Sequence, residues 1–170
     1  MESAKTRTLG PRLAVGFSLG GVFLLSLLHP LAFTLLVALA SGFAAAELAR
    51  AMRQAGWHVP RLIAALAPAI LIATYLFGAM GQWLGFLVAF GALVAWRILT
   101  LLVQSTRQST KQTLRDFGGT AFVLVYVPVL LSFAIQLVDI PGGRAWVLGM
   151  VLTVVAIDTF GYLIGRFFGK

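Results

Sequence analysis

The sequence contains no cysteine, and this absence removes several kinds of site at the start. Without thiols the chain cannot build disulfide bonds, zinc–thiolate sites or iron–sulfur clusters from its own residues. The two histidines, His29 and His58, are far apart in the sequence and fall in different predicted loops. This separation argues against a histidine-based zinc site.

Charged residues are also scarce, at 11% of the chain, whereas hydrophobic residues make up 60% and the mean hydropathy is +0.97. A soluble domain of this size could not bury so much apolar surface, so lipid must be the solvent for most of the chain.

A net charge of +8 is often seen in proteins that bind nucleic acid, but such binding needs a basic face on a polar domain. The sequence has no polar domain, and we expect no nucleic-acid partner.

Long apolar stretches fill most of the sequence. A bilayer core about 30 Å thick needs about 20 helical residues to cross it. Six stretches approach or reach that length, at approximately residues 13–28, 31–49, 62–78, 83–102, 118–138 and 145–164. We therefore predict an all-α, polytopic membrane protein with about six transmembrane helices in a single transmembrane domain, residues 1–170. The first two stretches are parted only by His29-Pro30, which predicts a tight helical hairpin with Pro30 in the first turn of the second helix.

The positions of the basic residues predict the orientation of these helices. With the N-terminus in the cytoplasm, all but one of the 13 basic residues fall on the cytoplasmic side, and the exception is Arg144. This distribution follows the positive-inside rule and predicts a cytoplasmic N-terminus. The expected localisation is the cell's inner (plasma) membrane, with several passes. The basic N-terminal segment also resembles the start of a signal peptide, but the apolar run after it is too long for one.

The longest polar segment, residues 104–116, carries Arg107, Lys111 and Arg115 at every fourth position. A helix would place these three side chains on one face, where they could hold anionic headgroups or nucleotide phosphates. Basic stripes beside membrane spans are also common on topological grounds alone. We favour the second interpretation, a solvated connecting loop that fixes topology.

Two of the five acidic residues, Glu47 and Asp158, lie at the edge of or within the apolar stretches. Glu47 precedes Arg50 by three residues, a spacing that permits an ion pair. We favour a snorkelling or paired carboxylate at the helix end, with a role in packing or lining a site as the alternative. Asp158 has only apolar residues before it and no basic residue until Arg166. Since a carboxylate within a span costs about 2.5–3.5 kcal/mol, we expect a compensating partner. Magnesium, which prefers oxygen ligands, is the first candidate, and a hydrogen bond between helices is the alternative.

Small residues follow Asp158 at regular spacing: Gly161, Gly165 and Gly169 recur every fourth position along one predicted helix face. Glycines at this spacing let a neighbouring backbone come close, and they also leave room for a substrate headgroup beside the carboxylate. Tyr162 is four residues after Asp158 and offers a hydroxyl on roughly the same side.

Arg166 and Lys170 end this segment at the predicted cytoplasmic mouth, four residues apart. Their side chains suit phosphate oxygens. The sequence therefore predicts one site built on a single helix, with a metal at Asp158 and phosphate groups at the two basic residues.

The segment from Asp158 to Lys170, DTFGYLIGRFFGK, resembles the D-[ST]-x-[AG]-Y-x-x-G-[RK]-x-x-G-K stretch of phosphatidate cytidylyltransferases, also called CDP-diacylglycerol synthases. Two weaker similarities agree in order and spacing. AELAR at 46–50, followed by Gly56-Trp57, is similar to the family's E-[WL]-x-R segment, and YVP at 126–128, followed by Ser132 and Phe133, is similar to its Y-V-P-x-x-x-S-F region.

The resemblance implies an enzyme that joins phosphatidic acid and CTP to give CDP-diacylglycerol and pyrophosphate, with Mg²⁺ or another divalent cation. It implies that Asp158 holds the metal and is catalytic, that Arg166 and Lys170 contact phosphates, and that Tyr162 and the glycines Gly161 and Gly165 shape the pocket. The family's S-P-x-K-[TS]-x-E-G and H-G-G-x-x-D-R-x-D segments normally follow the G-K pair. We therefore expect this chain to be the N-terminal part of a longer enzyme.

The expected partners are phosphatidic acid, CTP and the lipid bilayer, and a homodimer is a possible assembly.

Two alternative functions belong to other functional classes. One is a small transporter or channel subunit in which Asp158 is the ion site, although no partner acid lies in a corresponding stretch and no inverted repeat is visible. The other is a non-catalytic membrane scaffold whose glycine face serves only packing.

Overall fold

A computed structural model describes residues 9–104 and 109–168. All regular elements within these ranges are helices and none is a strand, which confirms the predicted all-α class. The helices are α1 (Leu9–Ser26), α2 (Pro30–Gln54), α3 (Ile63–Gln104), α4 (Thr110–Leu124), α5 (Leu130–Asp139) and α6 (Gly143–Phe168), and a π-helix (Val125–Val129) joins α4 to α5.

The turn between α1 and α2 forms as His29-Pro30 predicted. Pro30 lies in the first turn of α2, where its missing N–H leaves no helical hydrogen bond unmade. The Nδ1 atom of His29 accepts a hydrogen bond from the N–H of Leu31 at 3.3 Å and so caps the helix. Three residues, 27–29, are therefore enough to connect α1 to α2.

α3 reverses direction at Gly78, which has φ 59° and ψ −142°. The reversal brings its two arms, residues 63–77 and 79–104, side by side. A Cβ atom on Gly81 would lie 1.9 Å from the carbonyl oxygen of Ala73, and one on Gly85 would lie 3.2 Å from the Cα of Ile70. The arms are thus antiparallel and touch through glycines, and they correspond to the predicted stretches 62–78 and 83–102.

Among the described residues, four helical segments are long and apolar enough to cross a membrane: Pro30–Gln54, Ile63–Leu102, Thr110–Asp139 and Gly143–Phe167. The second of these contains the reversal at Gly78, and Ala14–Ser26 is a shorter apolar helix. Helix α4 begins at Thr110, eight residues before the predicted stretch 118–138, so residues 110–116 are not the connecting loop that we expected. The number of membrane crossings and the orientation of the N-terminus stay predictions.

The core lies between α2, the first arm of α3 and the run from α4 to α5. α2 contributes small buried residues such as Ala45 and Ala49, while α3 contributes larger ones such as Ile63 and Ile70. Small side chains on one helix let the branched side chains of the next pack closely against it. We call the end of this bundle that contains loop 55–62 and the first turns of α4 the basic end; it carries Arg50, Arg53, Arg61, Arg97, Lys111 and Arg115.

The π-helix coincides with the YVP segment that the sequence singled out. Pro128 lies in this widened turn and has no N–H to donate, and the carbonyl oxygen of Val129, the last residue of the π-helix, accepts hydrogen bonds from side chains. That oxygen accepts hydrogen bonds from Ser132 Oγ at 2.7 Å and from Gln82 Nε2 at 3.1 Å. Gln136 donates in turn to Gln82 Oε1 at 2.8 Å. A local backbone irregularity thereby ties α3 to the run from α4 to α5.

Candidate functional site

The second half of α6 carries the predicted site residues that the structure describes. From residue 152 to residue 167 nearly every side chain is exposed, including Asp158. Among the described elements, α6 contacts only α5, and it does so through its first half, where Val147 is buried. The predicted site therefore stands on a helix face that nothing in the described part of the chain covers.

Asp158, Tyr162 and Arg166 share one side of this helix because they are spaced four residues apart. The guanidinium of Arg166 donates a hydrogen bond to the hydroxyl oxygen of Tyr162 at 3.2 Å. A Cβ atom on Gly161 or Gly165 would find nothing within 4 Å, so both glycines border open space. Lys170 lies outside the described residues.

Asp158 itself makes no hydrogen bond or ion pair with any described residue. The described ranges also contain no group of three histidine, cysteine, aspartate or glutamate side chains that could hold a metal ion. No residue in the described part of the chain therefore pairs with this carboxylate. The metal-binding role of Asp158 stays a prediction.

The basic end contains a charged cluster that the sequence did not reveal. Arg97 and Asp116 form an ion pair with 2.8 Å between Nη2 and Oδ2, and their side chains are only 5% and 2% exposed. The other carboxylate oxygen of Asp116 accepts a hydrogen bond from the backbone N–H of His58 at 2.9 Å. A single buried carboxylate therefore connects α3, α4 and loop 55–62 at one point.

Loop 55–62 is held on its other side by Trp57 and Arg115. The guanidinium carbon of Arg115 lies 5.2 Å from the centre of the Trp57 ring, and Arg115 also donates a hydrogen bond to the carbonyl oxygen of Gly56. Gly56 has φ 81°, a value that favours glycine. The Trp57 ring fills the space above Gly119, where a Cβ atom would come within 2.7 Å of it. Arg115 thus holds this loop in place, whereas Lys111 is exposed and Arg107 lies outside the described residues.

The electrostatic environment of this cluster affects His58. Partial desolvation lowers the pKa of His58 below its usual value, and the nearby positive charge of Arg97 lowers it further. The negative charge of Asp116 acts in the opposite direction but is the smaller influence. The His58 imidazole is therefore held more in its neutral form than a free histidine at the same pH.

A cavity of about 630 Å³ opens beside this loop, between the end of α2 and the start of α3. Three arginines line it, Arg50, Arg53 and Arg61, and Arg53 donates a hydrogen bond from Nη1 to the carbonyl oxygen of Val59 at 2.9 Å. Glu47 is exposed at the end of α2 and forms no ion pair with Arg50, so the paired form that their spacing permits is not present. Arg50 turns instead toward the cavity that it shares with the other two arginines.

Sequence reasoning missed both members of the buried ion pair. Asp116 ends the polar segment 104–116, and Arg97 is one of the basic residues that the positive-inside distribution already explains. The spacing of residues along α4 is the feature that could have revealed Asp116. The buried residues of this helix are Asp116, Gly119, Thr120, Val123 and Leu124. This is the spacing of one helix face, and Asp116 belongs to it. A charge on such a face needs an opposite charge, and Arg97, inside an apolar stretch, needs one equally.

Comparison with known proteins adds a second line of information. A model of the cytidylyltransferase family matches residues 11–170. A phosphatidate cytidylyltransferase of Mycobacterium bovis is 32% identical, with 96% of this chain and 56% of the relative covered. One of Mycobacterium tuberculosis is 32% identical, with 96% and 52% covered, and one of Mycobacterium leprae is 30% identical, with 96% and 56% covered. The chain thus spans about half the length of these curated relatives. No solved structure matches the chain.

Proposed function

The chain belongs to the cytidylyltransferase family, and from that premise we propose that its protein makes CDP-diacylglycerol from phosphatidic acid and CTP, with release of pyrophosphate. The observation that carries the proposal is similarity along 96% of the chain to proteins named phosphatidate cytidylyltransferase. The matched region includes the thirteen residues from Asp158 to Lys170 that resemble the family motif. Because the relatives are about twice as long, the activity is proposed for the whole protein and not for these residues alone.

The proposed reaction transfers a cytidylyl group. A phosphate oxygen of phosphatidic acid attacks the α-phosphorus of CTP, a new P–O–P bond forms, and the bond to the β-phosphate breaks to release pyrophosphate. Such chemistry depends on placing the two phosphates and on stabilising their charge, and it needs no covalent protein intermediate. Arg166 and Lys170 are proposed to contact phosphate oxygens, and Tyr162, which accepts a hydrogen bond from Arg166, is proposed to hold that guanidinium in position.

Asp158 fits the role of one carboxylate ligand for Mg²⁺. Its side chain is exposed, and the neighbouring Gly161 and Gly165 border open space that a phosphate group could occupy. Magnesium in proteins is commonly held by one or two carboxylates together with waters and substrate phosphates. When bound there, the ion would offset negative charge on the attacking and leaving oxygens.

We also propose that this half of α6 faces the cytoplasm at its C-terminal end, in the inner membrane. The described basic residues support this orientation, because all of them except Arg144 lie at the same end of the bundle as Arg166. CTP is a cytoplasmic metabolite, so a site at that end would meet both substrates. The uncovered glycine face is where we propose that another helix packs, either from the same protein or from a second copy in a homodimer.

The test is an assay of the protein extracted from its own membrane, with CTP, phosphatidic acid and Mg²⁺, in which CDP-diacylglycerol and pyrophosphate are both quantified. Loss of an essential charged ligand commonly costs several kcal/mol of transition-state stabilisation, so we expect Asp158→Asn to lower turnover by about 100-fold or more. Asp139→Asn, at the opposite end of the bundle, is the matched control and should keep full activity. No product with wild-type protein would overturn the proposed reaction, and full activity of Asp158→Asn would overturn the role of that carboxylate.

A further inference from the structure

Two buried hydroxyl groups on α2 differ from the other hydroxyls of the helices. Seven described hydroxyls donate a hydrogen bond to a carbonyl oxygen three or four residues earlier in the chain; they belong to Ser18, Ser26, Thr74, Thr100, Thr120, Ser132 and Thr153. Thr34 and Ser41 are 1% and 0% exposed, and neither hydroxyl forms a hydrogen bond with a described residue. A buried hydroxyl without a partner is costly, because it has given up its hydrogen bonds to solvent.

Both hydroxyls lie on the face of α2 that packs against the run from α4 to α5. Met52 follows Ser41 by eleven residues and Thr34 by eighteen, and both spacings are close to whole numbers of helical turns, so the three share one face. Met52 contacts α4, since a Cβ atom on Gly119 would lie 3.0 Å from its Cε. Gly42, the residue after Ser41, faces the first arm of α3 instead. The two hydroxyls therefore point toward the same run of helix as Met52.

The level of each hydroxyl along this run follows from the helix directions. α2 ends where α4 begins, because loop 55–62 is bonded to the first turns of α4, and α2 contacts α4, the π-helix and α5 in turn. The two therefore run antiparallel. From the contact of Met52 with α4, eleven residues along each, or about 16 Å, lead to Ser41 and to the start of α5. Eighteen residues, or about 27 Å, lead to Thr34 and to the second half of α5.

Uncharged polar side chains of α5 lie at these two levels. Ser132, at the start of α5, is fully buried and donates to the carbonyl oxygen of Val129, but its own hydroxyl oxygen can still accept a hydrogen bond. Gln136, in the second half of α5, donates from Nε2 to Gln82, and its amide has a second N–H and a carbonyl oxygen. Each hydroxyl of α2 thus has a polar group with spare hydrogen-bonding capacity at its own level.

We propose that Ser41 and Thr34 each bind one buried water molecule and that these waters bridge α2 to α5. The water at Ser41 bonds to Ser132, beside the π-helix, and the water at Thr34 bonds to Gln136. Water fits both places because all four side chains are uncharged and because a buried water needs two to four polar partners. Ordered water commonly satisfies polar groups of membrane helices where the backbone departs from the α-helix. The inference does not rest on the proposed reaction, since neither place lies on α6.

Water contact can be measured by solid-state NMR of the whole protein in liposomes, as transfer of magnetisation from water protons to assigned side chains. We expect the signals of Ser41 and Thr34 to build up severalfold faster than that of Ala49, which is equally buried on the same helix. Thr74, a buried threonine whose hydroxyl bonds to the carbonyl oxygen of Ile70, should build up as slowly as Ala49. The proposal is overturned if Ser41 and Thr34 receive magnetisation no faster than Ala49.

Removing one hydroxyl tests the bridge itself. Ser41→Ala should abolish transfer from water to Ser132, and loss of the water-mediated contact should lower the Tm by about 2–4 °C. A hydroxyl that bound no water would give the opposite sign, because its removal would end an uncompensated burial and raise the Tm. Ser18→Ala, on the exposed face of α1, is the control and should leave the Tm unchanged. The bridge is refuted if Ser132 keeps its water signal in Ser41→Ala, or if that variant does not lower the Tm.

Discussion

Asp116 and Asp158 have opposite surroundings although both belong to helices of the same chain. Asp116 is 2% exposed and bound by Arg97 and by the backbone of His58. Asp158 is exposed on a helix face that no described residue covers. The first carboxylate is fixed by partners from two other elements, while the second has no partner within the described ranges. The comparison separates a charge that holds the fold together from a charge that remains available for a ligand.

The largest expected effect comes from removing the two carboxylates in turn. Asp116→Ala leaves the Arg97 guanidinium buried without its counter-charge, and we expect it to lower the free energy of unfolding by about 3–5 kcal/mol. Asp158→Ala should change it by less than about 0.5 kcal/mol, since it removes no contact that the structure describes. Denaturant titration in mixed micelles, followed by circular dichroism, measures both values.

Replacing the whole ion pair is the control for this comparison. Arg97→Met with Asp116→Leu removes both buried charges, and we expect it to recover much of the stability that Asp116→Ala loses. An equal loss of stability for Asp116→Ala and Asp158→Ala would show that the two environments are not different in the way described above.

A smaller effect is expected from matched changes of two glycines. Gly119→Ala would place a Cβ atom 2.7 Å from the Trp57 ring. Overpacking of this kind costs about 1–3 kcal/mol, so the variant should be less stable than the wild type by that amount. Gly161→Ala meets nothing within 4 Å, and it should be neutral or more stable by up to about 1 kcal/mol because alanine favours the helix. Thermal unfolding of both variants gives the comparison, and a stability loss at Gly161 as large as that at Gly119 would contradict it.

The smallest effect is a pH dependence from His58. Its pKa is lowered in the folded protein, chiefly by desolvation and then by Arg97, whereas an unfolded histidine titrates near about 6.5. Between these two pKa values the unfolded chain binds more protons than the folded one, so stability falls as the pH drops from above 6.5 through that window. His58→Gln should flatten this part of the pH–stability curve. An unchanged slope in the variant would show that another group is responsible.

Much of the architecture could be predicted from the sequence, because it depends on local properties. Apolar stretches of sufficient length predicted helices, and His29-Pro30 predicted a turn, since proline fits only the first turn of a helix without loss. The Asp158–Lys170 segment identified the family because its spacing is specific. None of these inferences required knowledge of which helices are neighbours.

The features that could not be predicted depend on distant parts of the chain. Arg97 and Asp116 are 19 residues apart and belong to different helices, and only packing shows that they meet. The cavity of Arg50, Arg53 and Arg61 likewise forms across a loop whose path depends on Trp57 and Arg115. The i,i+3 spacing of Glu47 and Arg50 permits a pair on local grounds, but it cannot show that Arg50 faces the cavity instead.

The reversal at Gly78 also affects how the protein is made. One residue connects the two arms of α3, and the side chains beside it, Phe77 and Met80, are apolar. The two arms meet without a polar connecting segment, so no polar loop has to be carried through lipid at this end. A pair of helices joined in this way can leave the translocon together, and this end of the pair presents no loop for a protease to cut.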